Sequence, residues 1–254
     1  MTDREWATQR PWGVRVDWGR AGALALGPGS ACVVVVDVLS FATAVSVASE
    51  RGTQVIPYPW RDDSAAAAFA ADRDARLAVG RRAVSAEQPW SLSPAALREA
   101  PAPRRLVLPS PNGSSIAAAV SGVPVIAACL RNATAVGRWI RGQGWGTAEK
   151  PVSVIAAGEH WDDGSLRPAL EDWLGAGAVV SALAAYRAGR LSPEALVAMN
   201  SHDGAGEVAA VVTQCASGCE LAAMGFGDDV RIAVEIDESR VVPVLSEGAF
   251  ADAA

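Results

Sequence analysis

Lysine is almost missing from this chain. Lys150 is the only one, so arginine carries nearly all of the 22 positive side-chain charges. Histidine is limited to His160 and His202, and the four cysteines, Cys32, Cys129, Cys215 and Cys219, include no CxxC pair. A zinc or iron centre would want more imidazole or suitably spaced thiols. A disulfide framework is equally unsupported, and Cys32 and Cys129 sit in apolar runs where a buried, inert thiol is expected. Repeats and Pro/Gly/Ser linkers are absent, so residues 1–254 read as one domain. No stretch has the length and apolarity of a membrane span, and the start, MTDREWATQR, lacks the apolar core of a signal peptide. A soluble cytoplasmic protein is expected. The formal charge is −6, with a pI of about 5.0. A nucleic-acid surface, which needs a basic patch, is therefore not expected. The arginines suit carboxylate, phosphate or sulfonate groups, although a GC-rich genome also enriches Arg and Ala.

What is present is a strand–helix alternation. Half of the residues are hydrophobic, enough for a sizeable core at this length. Cys32 to Val36, CVVVV, is the run of a strand buried on both faces, as parallel sheets require. Asp37 ends it, and Phe41 to Ser49 reads as a helix. Further strands are read at Val14–Trp18, Gln54–Tyr58, Leu106–Leu108, Val123–Cys129 and Val152–Ala157, with Pro57 suggesting an edge or a strand end. Gly19 to Ser30 reads as a Gly-rich loop and Ser85 to Pro103 as a long loop holding a short helix at Pro94 to Glu99. Helices are expected at Asp63–Asp72, Ile116–Val120, after Asn132 as cap, at Ala169–Ala188, and through most of the remainder. A final strand is expected at Val241–Leu245. The pattern is α/β: a three-layer α/β/α fold with a mostly parallel or mixed central sheet.

Three strand ends should bring polar groups to one sheet edge, where ligands of open α/β sheets bind. They are Asp37, the turn Asn112-Gly113-Ser114, and the loop running from Glu159 through His160, Asp162, Asp163 and Arg167 to Glu171 and Asp172. Each has an ordinary reading beside the functional one. Asp37 can cap the following helix, Asn-Gly marks common turns, and Glu171 and Asp172 favour a helix start through its dipole. Carboxylates gathered with so little histidine point to a hard, oxygen-loving ion, and Mg²⁺ fits. The Gly-bearing turn is a candidate anion site. Arg81, Arg82, Arg131 and Arg167 are candidates for a second anionic group, and His160 for a proton donor.

The run VVVVDVLSFATAV, the turn SPNGS, the stretch AAGE…LRPALEDWLGAGAVVSAL and the tail ELAAMGFGDDVRIAVEIDESRVVPVL together resemble the 2-phosphosulfolactate phosphatase family, in order and over nearly the whole chain. The resemblance implies an α/β/α phosphatase that hydrolyses 2-phospho-3-sulfolactate with Mg²⁺, in the context of coenzyme M synthesis. It places the acidic, metal-binding and catalytic pattern on Asp37, Glu171 and Asp172. The phosphate-side turn falls on Asn112 and Gly113, with Ser114 beside them, and Ser93-Pro94 matches a middle loop. Arg81 and Arg167 are the expected substrate arginines, a small phosphorylated anion the expected partner, and a homodimer the working assembly. Two positions depart from the family pattern: Ser40 stands where Arg is usual after DVL, and Arg81 where Glu usually follows Gly. If both face the site, the positive charge has moved rather than vanished. Two other hydrolase patterns are not met. A haloacid-dehalogenase-like enzyme needs a second Asp where Leu39 stands, and an isochorismatase-like triad of Asp37, a lysine and Cys129 has only Lys150 to draw on. A non-catalytic relative that binds such a metabolite is the rival from another class.

Overall fold

The run CVVVV has no polar face, so it must be covered on both sides, and the chain supplies that cover. A computed structural model describes residues 5–59, 63–185 and 190–254. In chain order the elements are β1 (Val14–Trp18), α1 (Gly19–Leu26), β2 (Cys32–Val36), α2 (Phe41–Glu50), β3 (Gln54–Pro59), α3 (Asp63–Ala71), β4 (Arg76–Leu77), α4 (Pro94–Glu99), β5 (Arg105–Ser110), α5 (Gly113–Ala119), β6 (Val125–Ala128), α6 (Ala133–Gly142) and β7 (Val152–Ala156). They continue with β8 (Glu159–His160), β9 (Leu166–Arg167), α7 (Leu170–Ala184), α8 (Pro193–Asp203), α9 (Val208–Gln214), α10 (Ala216–Ala223), α11 (Gly227–Ala233), β10 (Pro243–Ser246) and β11 (Ala249–Asp252).

Nine strands form one mixed sheet in the order β1-β7-β2-β6-β10-β11-β3-β5-β4. β1, β7, β2 and β6 run parallel to one another. So do β3, β5 and β4. The antiparallel hairpin β10–β11 lies between these blocks, antiparallel to β6 on one side and to β3 on the other. Helices α6, α7 and α8 pack side by side on β6, β7 and β1, while α1 and α5 pack together over β1, β7, β3 and β5. This is the three-layer α/β/α arrangement. All five residues of β2 are buried. Among the described residues no helix is long and apolar enough to cross a membrane.

The structure departs from the sequence reading at several points. Gly19–Leu26 is a helix, not a loop. Gly22 serves packing, since a Cβ there would lie 2.7 Å from the Cβ of Asp17. The expected last strand is a hairpin, with Gly248 in the turn. Pro57 is not at a sheet edge. β3 pairs with β5 along its whole length, but with β11 only at Phe250–Val55, so the proline falls past the second ladder. Asn132 begins α6 without capping it: its Oδ1 accepts from the Cys129 N–H (2.9 Å) and its Nδ2 donates to the carbonyls of Ala127 and Val241. The polar loop after β7 contains the small ribbon β8–β9. The expected continuation of α7 to Ala188 runs into residues 186–189, which lie outside those described, as do the first four residues of the charged start.

Candidate active site

Although the sense of the sheet reverses across the hairpin, the carboxyl ends of β2, β5 and β7 meet. Asp37 follows β2 directly and is almost fully buried. Its Oδ1 accepts from the Phe41 N–H and its Oδ2 from the Gly113 N–H, both at 2.9 Å. One carboxylate thus holds the starts of α2 and α5 together, so the capping role is real and is only half of what Asp37 does. The approach is close enough to require glycine at 113, where a Cβ would sit 2.2 Å from a ring carbon of Phe41 and 2.8 Å from Asp37 Oδ2. Asp172 makes a matching clasp. Its Oδ1 accepts from the Val38 N–H (2.7 Å) and its Oδ2 from the Gly158 N–H (2.8 Å), tying the end of β2 to that of β7. Glu171, beside it in the first turn of α7, is 1% exposed and accepts from the Cys215 thiol at 3.2 Å.

Glu159, on β8, completes the cluster. Asn112 Nδ2 donates to Glu159 Oε2 at 2.8 Å. With that amide nitrogen fixed, Asn112 Oδ1 is the acceptor for His160 Nδ1–H at 2.9 Å. The electrostatics follow from four carboxylates in one place. Burial, and then repulsion from Asp37 and Glu171, push Glu159 up to about 7, even though the Asn112 hydrogen bond pulls the other way. Burial raises Asp37 to about 6 against the two backbone N–H groups, with Glu171 adding to the rise and Arg81 opposing it. Burial, followed by Asp37 and Glu171, also raises Asp172. Asn112 and His160 line a cleft of about 400 Å³ together with Trp18, Arg20 and Leu166, so Asn112 joins this open space to the buried acids.

A model of the 2-phosphosulpholactate phosphatase family matches residues 26–248. The chain belongs to that family. A relative from Deinococcus radiodurans, named "Probable 2-phosphosulfolactate phosphatase", is 27% identical over 223 residues, covering 85% of this chain and 88% of its own length. The match spans β2 to the tail hairpin, and with it every residue of the cluster.

Measured against the family pattern, Asp37, Glu171, Asp172, Asn112 and Gly113 do come together. The Gly113 N–H, however, is already spent on Asp37. Ser114 turns inward: it is fully buried and its Oγ donates to the Leu108 carbonyl at 2.9 Å. The two departures are in contact, with Arg81 Nη2 donating to Ser40 Oγ at 2.7 Å and Arg81 Nε pairing with Asp229 Oδ2 at 3.1 Å. A cation therefore stands beside Ser40, supplied from another part of the chain. Arg167 is held by Glu220 (2.8 Å) and feels Glu159 and Glu171. Arg131 is not available to a ligand, because Glu50 and Glu235 both pair with it. Arg82 is exposed. Ser93 caps α4 by accepting from the Ala96 N–H, with Pro94 in the first turn as the sequence suggests. Two functional neighbours were not singled out from sequence, and Glu159, named there as the start of the polar loop, was given no role of its own. Asp229 reads as an ordinary helix-start acid in GFGDDV, and Cys215 carries no local signal.

Among the described residues no three His, Cys, Asp or Glu side chains already surround a common point as a metal cage would. The donor set still fits a hard divalent cation. It is all carboxylate, its charge is unbalanced enough to raise three of the acids, and Mg²⁺ is typically held by only one or two carboxylates, with water and a phosphate filling the rest.

Proposed function

We propose that this chain hydrolyses a small, doubly anionic phosphate monoester, with 2-phospho-3-sulfolactate as the first candidate, and that it does so with Mg²⁺. One observation carries the reading beyond family membership: four carboxylates and a guanidinium converge where the ends of β2, β5 and β7 meet. A phosphate monoester dianion repels nucleophiles, so catalysis consists mainly of charge neutralisation and positioning. Asp37, Glu171 and Asp172 are the residues that would hold Mg²⁺. Bound there, the ion supplies positive charge for phosphoryl oxygens.

The chain's own groups do the rest. Arg81, beside Ser40, offers a fork for an anionic group, as planar guanidinium does for phosphate and sulfonate. Arg167, steadied by Glu220, is the second cation at the rim. Glu159 Oε2 is engaged by Asn112, which leaves Oε1 to hold a proton. A carboxyl titrating near 7 is matched to proton transfer at neutral pH, so Glu159 is the general acid or base in this reading. His160, anchored through Nδ1–H, is left with Nε2 on the cleft side as an acceptor for a hydroxyl or other protonated group of the substrate.

The test is phosphate release from racemic 2-phospho-3-sulfolactate, phospholactate and an aryl phosphate, each with Mg²⁺ and with chelator, for the wild-type protein and Asp37→Asn. Chelator-sensitive turnover of the sulfonated compound alone, lost in Asp37→Asn, is the expected result. Turnover of phospholactate instead would shift the substrate while keeping the chemistry. A ligand-induced thermal shift without any turnover would replace the phosphatase by a binding protein.

A further inference from the structure

Arg81 begins a short 3-10 turn at the head of an exposed stretch, with residues 82–88 all open to solvent. An arginine in such a place keeps its rotamer freedom, and ordering it costs conformational entropy each time a ligand binds. Here that freedom has already been removed. The guanidinium uses Nε on Asp229 and Nη2 on Ser40, and among the described residues Nη1 has no protein partner. Asp229 is 1% exposed, and a carboxylate buried that deeply must be compensated on both oxygens. Its Oδ1 accepts from the Ser93 hydroxyl and the Ala95 N–H, at the start of α4. Its Oδ2 is thereby left facing Arg81.

We propose that Asp229 is the positioning residue of Arg81, held for that task by Ser93, so that α11 and the start of α4 set the guanidinium beside Ser40 with donors turned to an anion. This deepens, and rests on, the reading of the site as one for a phosphate monoester. The carboxylate does not touch the substrate. It fixes where the arginine stands before the substrate arrives, which is how a pre-organised site gains affinity. It also explains the burial of an acid that sits beyond the carboxylate cluster and takes no part in it.

The experiment is calorimetric titration of inorganic phosphate into the full chain with Mg²⁺ present, for wild type, Arg81→Ala, Asp229→Asn and the double variant, with thermal unfolding of each. Both single variants are expected to bind phosphate about tenfold more weakly, the loss of one charged hydrogen-bonding partner, and the double variant no more weakly than Arg81→Ala alone. Should Asp229→Asn not fold, Ser93→Ala removes one lock and is expected to weaken phosphate binding by about threefold in the wild-type background and not at all in the Arg81→Ala background. Independent, multiplying losses would overturn the proposal, since they would make Asp229 a structural acid only. Phosphate binding that is absent in wild type, or unchanged in Asp229→Asn, would overturn it as well. Turnover of the monoester panel is scored separately. Coupled losses in phosphate binding without turnover sink the phosphatase reading and keep the positioning role, and turnover with uncoupled losses does the reverse.

Discussion

Replacing Glu159 by Gln removes one charge from a cluster that has too many. The carboxyl of Glu159 moves from an ordinary 4.5 to about 7 on folding. Between those values the folded chain holds a proton that the unfolded chain has released. The stability contributed by this group is complete below the unfolded value and is lost as the pH rises through the folded one. At about 1.4 kcal/mol per pH unit, the gap is worth at most about 3.5 kcal/mol at pH 8. Glu159 is only partly buried, so solvent screening reduces this to about 1.5 kcal/mol. The substitution keeps an oxygen that can accept from Asn112 Nδ2, so the hydrogen bond need not be lost. In chelator at pH 8, Glu159→Gln should therefore melt above wild type, by about 3–6 °C for a chain of this size. At pH 5, where the folded wild-type carboxyl is protonated, the two should melt within about one degree of each other. Thermal unfolding at both pH values provides the comparison. The same difference at pH 5 and pH 8 would refute the reasoning, because Glu159 would then not be titrating under the pressure of burial and its neighbours.

Gly113→Ala would force a Cβ against Phe41 and Asp37, and should cost about 2–3 kcal/mol in chemical denaturation together with a sharp fall in activity; a variant as stable as wild type would mean that the α2–α5 junction yields. Ser114→Ala should lower stability by about 1 kcal/mol through the lost bond to Leu108 and leave KM unchanged; a raised KM would return the hydroxyl to the substrate. Cys215→Ala removes the thiol that donates to Glu171 and should lower Tm by about 2–6 °C, whereas Cys215→Ser, which keeps a donor, should fall less; equal Tm values for the two would show that the thiol's hydrogen bond contributes nothing.

The elements easiest to read were those whose pattern is set locally by burial. CVVVV can only be a strand covered on both faces, and Ser93-Pro94 announces the start of α4. Asp37, Asn112, Glu171 and Asp172 were legible as a group because each follows a strand or opens a helix. What local pattern could not carry was partnership across the chain. That Asp37 binds Gly113, that Arg81 stands beside Ser40, and that Arg131 is used up by Glu50 and Glu235 are all contacts between segments far apart in sequence. Gly19–Leu26 reads as a loop because it holds two glycines in eight residues, but Gly22 serves close packing against Asp17 rather than flexibility, and composition alone does not separate those uses. The last hairpin was missed because β11, AFAD, is only four residues long and two of its three apolar residues are alanine, a weak strand former.

That hairpin has a consequence for how the protein is made. It sits between two blocks of strands that are otherwise finished by residue 156, yet it is built from residues 243–252. During synthesis, β6 and β3 must wait with open edges while nearly a hundred further residues emerge. Unpaired edges of that kind invite wrong partners, and contacts of such long sequence separation form slowly. The keystone of the sheet comes after both blocks, so the block that carries the four acids and the block that carries Asn112 and Gly113 become one sheet only once residues 243–252 have been made.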